Sequence, residues 1–167
     1  MRILFAFPGH LKTVPMREFC VQALGDLGHE VHVFDFRKST SERIVSRVGR
    51  WLGGSNLRTK PITNARFRRC LRETKPDLFL TLFGFDLTPQ SLVAVRARRI
   101  PSACWWLNDP FQFERSLQRA GDYDFLFSNS ERCVSDYRAQ GIPNAHFLPA
   151  ACHPPVHIKA PPVPQWQ

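Results

Sequence analysis

Two places in the sequence carry side chains able to act on a bound molecule. His10 lies in the stretch Pro8-Gly9-His10-Leu11-Lys12-Thr13 and is the one side chain there whose pKa suits proton transfer near neutrality. Asn108 and Asp109 follow Trp105-Trp106-Leu107 and precede Pro110. An amide and a carboxylate at the end of a buried strand can project at the rim of a crevice. Asp109 can equally cap the helix that Pro110 is placed to start, and the two readings can coexist. Other combinations carry less. His153 and His157 form a metal pair only by ignoring the lack of a carboxylate partner, and Cys152 and His153, being adjacent, rarely face each other.

The same residues argue against several chemistries. The first loop has one glycine and a second proline at Pro15, where a dinucleotide site needs G-x-G-x-x-G to bring backbone against a pyrophosphate. Asp35, placed where a ribose-binding acid would sit, is then read as a turn residue. There is no G-x-x-x-x-G-K-[ST] phosphate loop and no G-x-S-x-G. The five cysteines, at 20, 70, 104, 133 and 152, contain no C-x-x-C pair, which fits reduced thiols in a cytoplasmic protein. No cofactor and no metal is expected.

The elements that must position these residues alternate. Apolar strands are expected at 2–7, 30–36, 77–84, 101–108, 123–130 and 145–151. Helices are expected at 14–27, 41–53, 62–74, 88–99 (Thr88 as cap, Pro89 in the first turn), 111–120 and 131–140. Continuous apolar strands alternating with helices are the pattern of a doubly wound, mainly parallel six-stranded α/β sheet, Rossmann-like in kind. With 167 residues this is one domain, spanning 1–151, followed by a proline-rich linker or tail at 152–167. In such folds ligands bind beyond the carboxyl ends of the strands. The segments to watch are therefore PGHLKT after the first strand, GFDLTP after the third, NDPFQF after the fourth and SNSERC after the fifth.

The net charge is +9, and between Arg43 and Lys75 ten lysines and arginines face only Glu73. A field of one sign implies an anionic partner or a solvated basic surface. Within it, Arg43, Arg47 and Arg50 share a stripe beside Trp51, a basic amphipathic pattern suited to peripheral contact with an anionic membrane at its inner face, or to covering the sheet. No run is long enough to cross a bilayer. There is no nucleic-acid motif, and the aromatic residues cluster in strands instead of interleaving with arginines, which argues against nucleic acid.

Several segments together resemble the N-terminal half of a GT-B glycosyltransferase. The specific likeness is to the CgeB-like (spore maturation protein) family, with its DUF3880-type N-terminal domain. The matching stretches are RILFAFPG, FCVQALGDLGHEVHVFDF, KPDLFLTLFG, IPSACWWLNDPF and YDFLFSNSERCVSDYRAQGIPNAHFLPAACHP, in that order, covering residues 1 to about 155. The LGHEV turn is common to many GT-B proteins. The aromatic strand ending in Asp-Pro, followed by the Tyr-Asp strand, is more specific.

The resemblance implies two facing Rossmann-like domains, of which this is the acceptor-side one, with no catalytic metal. It places Gly9 and His10, then Gly84, Phe85 and Asp86, then Asn108 and Asp109, then Ser128, Asn129 and Ser130 on the cleft. Asp109 and His10 are the implied base or stabilising groups. The partners implied are a sugar acceptor, glycolipid or protein, and a nucleotide-sugar donor held by a second domain or partner chain. The donor-binding domain is expected outside this chain, leaving little or no transfer activity in it alone. The competing function class is a non-catalytic basic module for an anionic polymer, nucleic acid or membrane surface, whose binding would depend steeply on salt.

Overall fold

The computed structural model describes residues 1–7, 15–36, 60–84 and 87–158. Six strands form one sheet: β1 Arg2–Phe7, β2 Glu30–Asp35, β3 Leu78–Leu82, β4 Ser102–Trp106, β5 Phe125–Ser128 and β6 Ala145–Phe147. Five described helices alternate with them: α1 Met16–Asp26, α2 Lys60–Thr74, α3 Pro89–Arg96, α4 Phe113–Ala120 and α5 Glu131–Ala139. The strand order is β2-β1-β3-β4-β5-β6, and every neighbouring pair is parallel. The doubly wound parallel α/β sheet expected from the sequence is the fold. The helix expected at 41–53 lies outside the described residues.

Burial follows position in the sheet. β1 is flanked on both sides, and its Ile3, Leu4, Phe5 and Ala6 are no more than 1% exposed, as an uninterrupted apolar run requires. The edge strands are looser: β2 leaves Val33 40% exposed and β6 is three residues long with Phe147 44% exposed. On one face the rings of Phe34, Phe67 and Phe79 meet edge to face at 5.2 and 5.4 Å, fixing α2 across β2 and β3. α3 lies beside α2, and Thr88 joins them by donating to Asn64 Oδ1 at 2.7 Å while accepting from Ser91 N at 3.3 Å as the α3 cap. On the opposite face Arg17 of α1 reaches Asp35, which is paired in register with Phe7, at 3.2 Å.

Three helices stop in the same way, with a six-residue backbone bond enclosing a four-residue one. They are His29 N to Leu24 O with Gly28 N to Gly25 O, Ile100 N to Val95 O with Arg99 N to Arg96 O, and Ile142 N to Tyr137 O with Gly141 N to Arg138 O. This closure needs a left-handed residue, and Gly28 (φ 79°) and Gly141 (φ 82°) supply it without strain. In α3 the position is Arg99 (φ 55°), where a side chain costs about 1 kcal/mol relative to glycine.

Beyond β6 the chain turns back over the α1 side. Leu148 O accepts from Trp105 Nε1 at 2.9 Å; further on, the His153 ring stacks on Phe19 at 4.4 Å and its Nε2 lies 3.1 Å from Gln22 Oε1. His153 is only 8% exposed.

Candidate functional site

The strand order reverses at β1, which has β2 on one side and β3 on the other. In an open parallel sheet that reversal opens a crevice beyond the carboxyl ends of the two diverging strands. Among the described residues it is bordered by those after β3 and continued by those after β4 and β5. Gly9, His10, Phe85 and Asp86, together with Arg43, Arg47, Arg50 and Trp51 of the expected basic helix, lie outside the described residues.

After β3 the strand expected to run to residue 84 stops at Leu82, because Phe83 (φ 61°) and Gly84 (φ 58°) both turn left-handed. Phe83 is 4% exposed, so its ring stays in the core while its backbone is strained, and Phe83 N still reaches Trp105 O at 3.0 Å. Gly84 is required twice over. Its φ disfavours a side chain, and a β-carbon there would sit 2.5 Å from the Tyr123 hydroxyl and 3.1 Å from Cys104 Sγ. Burial pushes the Tyr123 phenol and the Cys104 thiol well above their ordinary pKa values. The floor under Gly84 is therefore neutral.

The expectation that Asp109 projects at the crevice rim is corrected. Asp109 is 3% exposed, and its carboxylate accepts from Ser128 Oγ at 2.7 Å and Tyr137 OH at 3.0 Å, with Ser116 Oγ 3.2 Å away. Ser116 and Tyr137 also meet in a short contact, so the single Ser116 proton is shared among Asp109, the Tyr137 oxygen and the Phe113 carbonyl. A buried carboxylate is tolerated because three hydroxyls replace the water it lost. The helix-cap reading fails as well: α4 begins at Phe113 with Gln112 at its cap position, and Pro110, joined to Asp109 by a cis peptide bond, lies in the preceding turn.

Ser128 is likewise corrected from the crevice to the interior, at 0% exposure. Ser130 caps α5, accepting from Cys133 N at 3.3 Å. The Tyr137 phenol is raised in pKa, first by burial and then by the neighbouring Asp109. It stays a donor.

This knot ties the ends of β4 and β5 to α4 and α5. What it holds at the edge is a pair of amides. Asn129 donates through N to Trp106 O at 3.3 Å and through Nδ2 to Leu107 O at 3.1 Å, while its Oδ1 is buried without a partner. Asn108 O accepts from Gln112 N at 3.1 Å, and Gln112 Oε1 is a second buried oxygen without a partner. Phe111 beside them is 93% exposed. The edge thus presents an open aromatic face at Phe111, above amide oxygens that are buried without partners. Among the described residues no cluster of three His, Cys, Asp or Glu could hold a metal ion, and no helix is long and apolar enough to cross a membrane.

The sequence reading missed Ser116 and Tyr137, the partners that bury Asp109. In the sequence each reads as an ordinary member of its helix. Phe111 was also missed as an exposed ring, and an apolar residue next to Asp-Pro gives no sign of its exposure.

No family model matches the chain, and no curated protein matches it. The resemblance to the CgeB-like family therefore rests on the quoted stretches alone. Among solved structures the chain is similar to a UDP-GlcNAc 2-epimerase from Neisseria meningitidis, solved bound to UDP-GlcNAc, with a TM-score of 0.58 and 13% sequence identity. The match covers 87% of this chain and 45% of that enzyme, so this chain spans less than half of it. At that identity the likeness concerns the fold alone: this chain has a Rossmann-like α/β architecture shared with part of that enzyme.

Proposed function

We propose that this chain is the acceptor-side half of a GT-B glycosyltransferase of the CgeB-like type, working with a donor-binding half on a second domain or partner chain. One observation carries the reading. A parallel sheet that reverses at β1 matches, over 87% of its length, under half of an enzyme that holds a nucleotide sugar. The edge after β4 supports an acceptor role, since the exposed Phe111 ring suits a sugar face better than a phosphate. On this reading Asp109 is a positioning residue that sets that edge through Ser128 and Tyr137, and His10 is the group for proton transfer. The acceptor is a glycolipid or a glycosylatable protein, and the donor a nucleotide sugar.

The test is a transfer assay with a panel of UDP-, GDP- and TDP-sugars, run with the chain alone and with a candidate donor-binding half added. Transfer is expected only in the mixture, and it should fall about a hundredfold in His10→Ala if a general base is lost. No transfer in any mixture, together with tight binding to anionic polymer or vesicles that weakens steeply with salt, would overturn the reading in favour of a basic binding module.

A further inference from the structure

Of the three helices that close in the same way, α3 alone places an arginine where the other two place glycine. Among the described residues the Arg99 guanidinium makes no hydrogen bond or ion pair in return. What Arg99 does line is an open surface depression of about 350 Å³ at the amino ends of β4 and β5, the sheet edge opposite the crevice. Its other walls are Arg96, Ile100, Pro101, Asp124 and Phe125, of which only Ile100 is buried.

The wall chemistry is specific. Arg96 is held in place by donating through Nη2 to Asp122 O at 2.6 Å and Gly121 O at 3.4 Å, which leaves its other N–H groups for a ligand. Two guanidiniums at one mouth match the forked oxygens of a phosphate. Phe125 is 43% exposed, a ring on which a planar group can stack. The Asp124 carboxylate is fixed by Ser102 N at 2.8 Å and Ser102 Oγ at 2.7 Å, and stands ready as an acceptor for N–H or O–H groups. Such a carboxylate disfavours a bare dianion but suits a ligand that brings both a phosphate and hydrogen-bond donors.

We propose that this open depression is a surface binding site for a phosphomonoester bearing an aromatic base, of the size of a nucleoside monophosphate. Its phosphate lies between Arg96 and Arg99, its base lies against Phe125, and a base or ribose donor meets Asp124. The site is remote from the amides after β4 and β5 and does not rest on the transferase reading.

The experiment is calorimetric titration of the full chain with UMP, AMP, uridine and inorganic phosphate, repeated on Arg99→Gly and Phe125→Leu. Glycine is the residue this helix end prefers, so Arg99→Gly should melt at or above the wild-type temperature and yet bind nucleotide about tenfold more weakly. Phe125→Leu should weaken the nucleotides and leave inorganic phosphate unchanged. Unchanged nucleotide affinity in Arg99→Gly would overturn the proposal. So would inorganic phosphate or uridine binding as tightly as UMP, or no saturable binding at concentrations of about 10 mM.

Discussion

Replacing Asp109 with alanine removes the acceptor shared by three buried hydroxyls. Ser116, Ser128 and Tyr137 are each 0% exposed, so none can turn to water. A hydrogen bond to a charged group contributes roughly 1.5–3 kcal/mol, so the two full donors, Ser128 and Tyr137, with a part share from Ser116, come to about 4–5 kcal/mol. Ser116 and Tyr137 retain each other, and Ser116 keeps the Phe113 carbonyl, which recovers part of the loss. The expected destabilisation is about 3–4 kcal/mol, or a fall in Tm of about 10 °C for a chain of this size. Asp109→Asn keeps the shape and one carbonyl oxygen, and should lose about 1–2 kcal/mol. The assay is thermal unfolding followed by circular dichroism, with urea midpoints as a second measure. An alanine variant that melts within about 2 °C of wild type would refute the buried knot and return Asp109 to the crevice.

Two further outcomes follow from the geometry. Gly84→Ala should cost about 2–3 kcal/mol, from its left-handed backbone and from the 2.5 Å approach to the Tyr123 hydroxyl, and Tyr123→Phe should recover about 1 kcal/mol of it in the double variant; strictly additive losses in urea unfolding would rule out the contact. The chain has two tyrosines, Tyr123 and Tyr137, both buried with phenols raised above the ordinary value of 10.0. The raised phenols stabilise the fold fully below pH 10, and that contribution is lost as pH rises above 10 because the unfolded chain ionises first. Phenolate absorbance should therefore appear only together with loss of the far-ultraviolet dichroism, and a smooth titration near pH 10 in a folded chain would contradict the burial.

Much of the fold was legible because each strand is a continuous apolar run and each helix carries its own stop. Thr88-Pro89 announces α3, and Gly28 and Gly141 end α1 and α5 where expected. The end of β3 was overrun because backbone strain sets it: Phe83 is a good strand residue that turns left-handed, which residue type does not signal. Asp109 was misplaced for a related reason. An acid beside an amide before proline reads as surface, and only three hydroxyls gathered from α4, β5 and α5 make its burial affordable. Those partners are 7, 19 and 28 residues away, beyond the reach of local pattern. Arg99 was invisible because glycine is the usual signal for the position it fills.

The return of residues 148–158 to α1 has a consequence for synthesis on the ribosome. Gln22 and His153 meet across 131 residues, so the surface of the first helix stays incomplete until nearly all of the described chain has emerged. At ~5–20 residues per second that wait is roughly 7–26 s. Through it Phe19 has no histidine to stack on. A late packing step of the described fold is thus made by some of its latest residues against some of its earliest.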